Sequence, residues 1–124
     1  MAKIKNHQEL EVYQIAFQAA MSIYNLSKNF PKEEKYSLTD QIRRSSRSVC
    51  ANIGEAFRKR KYPKSFVAKI IDSEGEADET QIWLEFSLAC EYIDQETYDY
   101  LYKQYDYILG KLVNMSLQPE KWSY

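Results

Sequence analysis

The sequence predicts an all-α fold, an antiparallel up-down-up-down four-helix bundle, in one domain spanning residues 1–124. Three observations predict it. Apolar residues recur at spacings of three and four throughout, and no stretch alternates with the period of two that a half-buried strand needs. Only three Gly and three Pro punctuate the chain, so the breaks between helices are few and the links short. The 124 residues are enough for one real core and too few for two.

The first helix is expected over about 6–29. Leu10, Tyr13, Phe17, Ala20, Tyr24 and Ser27 form one seam. Val12, Ala16, Ala19, Ile23 and Leu26 form a second, which predicts neighbours on two sides. Pro31 stops this helix. Ser37 and Asp40 read as a capping box, with Asp in place of the usual Glu, and open a second helix over about 38–60. Its core face is Leu38, Ile42, Val49, Ile53 and Phe57. Tyr62-Pro63 breaks it, because the residue before a proline is pushed out of the helical region. A third helix is expected over about 64–93. Asp94 can cap a fourth over about 95–117, with the seam Tyr98, Leu101, Tyr105, Ile108, Leu112 and Met115, and Pro119 ends it.

The second helix carries polar residues beside its core face. With Ile42 at zero and about 100° per residue, Gln41, Ser48, Asn52 and Glu55 share one flank between about 220° and 280°. Arg43, Arg47, Gly54 and Arg58 occupy the opposite flank and the outer face. The third helix reads DSEGEADETQ from Asp72 to Gln81. A fold-back at Tyr62-Pro63 sets that stretch level with about residues 43–52. The middle of the bundle is therefore expected to be small and polar on two adjacent helices. Gly54 and Gly75 each cost about 1 kcal/mol against Ala in a helix, and close backbone approach or a kink would explain them.

Charge is segregated although the formal net charge is only −1. From Ile70 to Tyr102 there are ten acids and no Lys or Arg; from Ile42 to Lys64 there are eight bases against Glu55. Arg43, Arg44 and Arg47 fall level with Glu76, Asp78 and Glu79, and are expected to pair with them within the chain or between subunits. Arg58, Lys59, Arg60, Lys61 and Lys64 lie at a helix end that also carries Lys3, Lys5, Lys111 and Lys121. Glu91, Asp94, Glu96 and Asp99 mark the other end. The basic end reads either as a solvated pole or as a surface for phosphate backbones. Of eleven tyrosines, Tyr92, Tyr98, Tyr100, Tyr102, Tyr105 and Tyr107 cluster. Tyr100 and Tyr107 fall off the core seam, which points to a protein interface, with base stacking as the alternative.

Several classes find no support. No apolar run approaches the roughly 20 residues that span a bilayer. Cys50 and Cys90 sit in apolar helical patterns, and without a signal peptide they are expected to be buried free thiols in a cytoplasmic protein. The lone histidine, His7, rules against the Glu-x-x-His pairs of a ferritin-like di-metal site. A carboxylate-only metal hydrolase stays open as an enzymatic alternative. No phosphate loop, Ser-His-Asp order or Cys-His pairing is present, so no catalytic set, metal, cofactor or small-molecule substrate is implied.

The stretch SLTDQIRRSSRSVCANIGEAFRKR resembles the signature of the 23S rRNA intervening-sequence proteins, small bacterial four-helix-bundle proteins. Leu38, Thr39, Gln41, Arg44, Ser48, Asn52, Ile53, Glu55 and Arg58 match it. The usual Ala and Gly appear as Gly54 and Ala56. Gly75 fits the family's Gly-Ser step with Glu76 in place of Ser, and Glu79 fits its acidic position. The opening QELEVYQIAFQAAMSIYNLSKNFPKEEKYSL is similar to the family's first helix and link. The resemblance implies a bundle that assembles as a ring-like homo-oligomer, commonly a pentamer, without an established reaction. Nucleic-acid binding, to RNA or DNA, follows by analogy with a related retroelement accessory bundle. A protein scaffold without nucleic acid is the alternative.

Overall fold

The computed structural model describes residues 4–122. Four helices account for most of it: α1 (Glu11–Ser27), α2 (Leu38–Arg58), α3 (Pro63–Ala89) and α4 (Gln95–Leu117). No strand occurs among the described residues. Each helix packs on two others, α1 on α2 and α4, and α3 on α2 and α4, so the bundle closes as a square with α1 diagonal to α3. The expected core face of α2 is buried in full, with Ile42, Val49 and Ile53 at zero exposure. The α4 seam is buried from Leu101 to Met115, and Tyr98 is half-buried.

The helix ends differ from the sequence reading, each for a tertiary reason. The first helix does not run from Asn6. Asn6 instead caps a separate 3-10 turn, His7–Glu9: its side chain accepts from the Gln8 N–H at 2.9 Å, and the Glu9 carboxylate accepts from the Asn6 N–H at 3.0 Å. Leu10 is extended (φ −74°, ψ 127°). That bend buries the Leu10 side chain and lays the turn over α2, with the His7 ring against Gly54.

No capping box forms at Ser37 and Asp40, because Glu34 takes that place. Its carboxylate accepts from the Ser37 hydroxyl (2.7 Å), the Leu38 N–H (3.2 Å) and the Tyr92 hydroxyl (2.9 Å). Three donors on one carboxylate hold Glu34 below the usual range, the Ser37 bond foremost.

α3 ends at Ala89, earlier than expected. Glu91 takes the left-handed conformation (φ 63°), the Glu91 N–H reaches Leu88 O and the Tyr92 N–H reaches Ser87 O, both at 2.9 Å. This is a Schellman ending built on a non-glycine residue. It turns Tyr92 back onto Phe30, with ring centroids 5.4 Å apart, and so delivers the Tyr92 hydroxyl to Glu34.

The fold-back at Tyr62-Pro63 gives the expected register. Ser73 on α3 donates to Val49 O on α2 (2.8 Å), and Thr80 meets Ser45 at 2.8 Å. Ser45, Ser73 and Thr80 are fully buried. Small hydroxyl residues let two helices approach closely, and each hydroxyl finds a partner. The glycines play no such part. A Cβ on Gly54 would meet the His7 ring at an ordinary 3.7 Å, and one on Gly75 would meet nothing within 4 Å.

Candidate nucleic-acid interface

The bundle end formed by the α2–α3 turn also receives the 3-10 turn of residues 7–9 and the segment after α4. α2 ends on Arg58, Lys59 is its C-cap, and Pro63 supplies the first residue of α3. The four-residue gap and the helix ends beside it project cations outward. Arg58, Lys59, Lys61 and Lys64 are exposed. None of these four has an acidic side chain at ion-pair distance among the described residues. Arg60 differs: its guanidinium donates to Phe57 O at 3.0 Å and stacks on the Phe57 ring at 3.6 Å. It closes the end of the core and is part of the structure at that corner. Lys5, Asn6 and His7 share a small cleft with Arg58 and Arg60. Of the other cations expected at this end, Lys111 lies 3.9 Å from Glu11, Lys121 is exposed, and Lys3 lies outside the described residues.

The polar flank of α2 faces α3. Glu55 meets Lys69 at 2.8 Å, which holds the Glu55 carboxyl low, the hydrogen bond first and the charge second. Ser48 faces Glu76. Burial and the neighbouring Glu79 push Glu76 up, against the Ser48 hydrogen bond that pulls it down. Asn52 back-bonds to Ser48 O at 2.9 Å, and Gln41 shares a cleft with Trp83 and Phe86.

The arginines do not pair with the α3 acids within the chain. Arg43 donates to Ser27 Oγ at 2.8 Å, and Arg43 and Arg47 stand over the Tyr24 ring at 4.8 and 5.5 Å. Both therefore point to α1, on the opposite side of α2 from Glu76, Asp78 and Glu79. Arg44 approaches only Asp40, at 3.9 Å and largely exposed, an i,i+4 contact of small energetic value.

α1 and α2 leave a groove of about 650 Å3 between them. Tyr13, Phe17, Met21, Cys50 and Ala51 line it, with Arg47, Arg58 and Lys59 and the single acid Glu55. Phe17, expected in a buried seam, is half-exposed here. Cys50 is buried as expected, and burial pushes its thiol up to about 11. Cys90 is exposed at the end of α3, against expectation.

Tyr100 and Tyr107, the two tyrosines off the α4 core seam, are both exposed as expected. The Tyr107 hydroxyl donates to Glu11 on α1, and Tyr98 stacks on Tyr102 at 5.2 Å.

Sequence reasoning did not single out Ser45, Thr80 or Gln81. Gln81 Nε2 ties α3 to α4 through Tyr102 O (3.2 Å) and Asp106 (2.9 Å). Their core-facing positions on the helical wheel were the available signal. Among the described residues, no three His, Cys, Asp or Glu side chains converge to hold a metal ion. Among the described residues no helix is long and apolar enough to cross a membrane.

Four helices, a polar α2–α3 contact and one cationic end define a small helical-bundle protein. The model of the 23S rRNA-intervening sequence protein family matches residues 8–114, and the chain belongs to that family. It is also similar to a solved structure from Bacteroides thetaiotaomicron VPI-5482, a protein with unknown function from the S23 ribosomal protein family. That similarity has a TM-score of 0.76 and 32% identity, and covers 85% of this chain and 94% of the other. Nothing among curated proteins matches. Neither relative carries a catalytic assignment.

Proposed function

We propose that this chain is a non-enzymatic, homo-oligomeric bundle, a pentamer on the family resemblance, that binds nucleic-acid backbone, RNA first, through its basic end. The observation that carries the reading is the exposure of Arg58, Lys59, Lys61 and Lys64 at one end with no acidic side chain at ion-pair distance among the described residues. Unpaired cations keep their full charge available to phosphates, whereas paired ones would first have to break an ion pair. The family's name, which links it to 23S rRNA, supports the choice of RNA.

One subunit offers a small patch, and non-specific binding of that kind has a Kd of about 10⁻⁴ to 10⁻⁶ M at physiological salt. Repetition of the patch around an assembly would tighten it by avidity. The test is binding of a mixed-sequence single-stranded RNA across a salt series. Log affinity should fall linearly with log salt, by about 0.7 per phosphate contacted. The double reversal Lys61→Glu with Lys64→Glu should weaken binding and flatten that slope, with helicity and assembly mass unchanged. No binding at low salt, or equal binding by the double variant, leaves the protein-scaffold reading in its place.

A further inference from the structure

α3 is apolar on two sides. With Ala77 facing the core at zero, Ile71, Gly75, Ile82 and Phe86 lie between about 120° and 180° away at 100° per residue. Their 4-7-4 spacing is that of a packing seam. Yet Ile71 is 52% exposed, Ile82 41% and Phe86 53%. Gly75, in the middle of the seam, faces open space. A glycine inside a helix costs about 1 kcal/mol against Ala, and no contact within this chain calls for it. A missing side chain at the centre of an outward seam does permit close approach by another molecule.

Charge identifies what approaches. Asp78, Glu79 and Glu85 flank the seam and have no basic partner at ion-pair distance among the described residues. The α1–α2 groove shows the converse pattern. Phe17 and Met21, 50% and 44% exposed, lie among Arg47, Arg58 and Lys59, and the one acid of this lining, Glu55, is already taken by Lys69 at 2.8 Å. An apolar ridge edged with acids and an apolar groove edged with bases complement each other. They lie on different sides of one bundle and cannot meet within it.

We propose that the α3 ridge of one copy of this chain seats in the α1–α2 groove of the next. This names the contact behind the assembly proposed above and rests on that reading. The contact is heterologous, head to tail, so each copy uses both surfaces and the series closes when the rotation permits. Gly75 then marks the point of closest approach, and the acids of α3 find Arg47 of the groove, which has no acid at ion-pair distance among the described residues of its own chain.

The test is assembly mass by sedimentation velocity at tens of micromolar protein, with far-UV circular dichroism as the folding check. Gly75→Leu blocks the ridge while its side chain enters open space within the chain, so the variant should fold and be monomeric. Met21→Glu blocks the groove and should also be monomeric. Mixing the two should give a one-to-one dimer, because one intact groove meets one intact ridge. A wild type that is monomeric overturns the assembly reading and this contact together. A wild-type assembly that both variants retain overturns this contact alone. Two monomeric variants that fail to pair when mixed also overturn it.

Discussion

The Thr80 hydroxyl on α3 lies 2.8 Å from Ser45 Oγ on α2 and 2.9 Å from Glu76 O in its own helix. A hydroxyl has one proton and two lone pairs. If Thr80 donates to the backbone, it accepts from Ser45. Both side chains are completely buried, so neither oxygen can turn to water.

Removing one partner costs the other this shared bond and leaves it a single backbone acceptor, Ile42 O at 3.4 Å for Ser45 and Glu76 O for Thr80. Thr80→Val keeps the shape and should destabilise the fold by roughly 0.5–1.5 kcal/mol, the net worth of one intramolecular hydrogen bond. The double change Ser45→Ala with Thr80→Val should cost less than the sum of the two single changes, because the shared bond is lost only once. Urea unfolding of the four proteins measures the coupling. Strict additivity would show that the two hydroxyls do not interact.

Glu34 makes the start of α2 sensitive to acid. Its folded pKa lies below the ordinary 4.5, held there by the Ser37, Tyr92 and Leu38 bonds. A lowered carboxyl contributes stability above its unfolded value, and that contribution is lost as pH falls through the folded value. Wild-type stability should fall as pH drops below about 4.5. Glu34→Gln should be less stable at pH 7 and should show a shallower loss toward pH 3. Urea midpoints across that range decide it; parallel curves would remove Glu34 from the acid response.

The helices were legible in the sequence because their signals are local. Tyr62-Pro63 fixes the turn and, with it, the register that brings Asp72–Gln81 beside residues 43–52. The basic end was legible for the same reason, as adjacent residues. The helix ends were not. Leu10 leaves the helix to bury its side chain, and Glu34 caps α2 from outside it while holding a tyrosine 58 residues away. The destination of Arg43 and Arg47 depended on Tyr24 lying on the other side of α2. The α1–α2 groove exists only between two helices, so no stretch of one helix announces it. The α3 ridge did leave a trace, in Ile71, Ile82 and Phe86 standing off the core face.

The two cysteines should separate chemically. The thiolate is the reactive form. Burial pushes Cys50 up to about 11, so it stays a neutral thiol at pH 8, whereas Cys90 is exposed. A disulfide-exchange reagent at pH 8 should label Cys90 rapidly and Cys50 only on unfolding. The Cys90→Ser variant should then show almost no fast phase. A fast phase that survives this change would mean that Cys50 is reached through the α1–α2 groove.

Glu91 carries the left-handed turn that ends α3, at φ 63°. For a residue with a Cβ that conformation costs roughly 1–2 kcal/mol, while glycine occupies it freely. The Glu91 side chain is exposed. Its replacement therefore removes little contact energy, while the backbone bonds to Leu88 O and Ser87 O remain available. Glu91→Gly gains freedom in the unfolded chain, which offsets part of the relief. The expected balance is stabilisation by about 0.5–1 kcal/mol, seen as a higher urea midpoint at unchanged slope. Glu91→Ala keeps the Cβ and should give no such gain. If glycine and alanine behave alike, the turn is held without strain and the early end of α3 owes nothing to position 91. If only glycine stabilises, the strain is real, and the contacts of Tyr92 with Phe30 and Glu34 are what hold the chain in it.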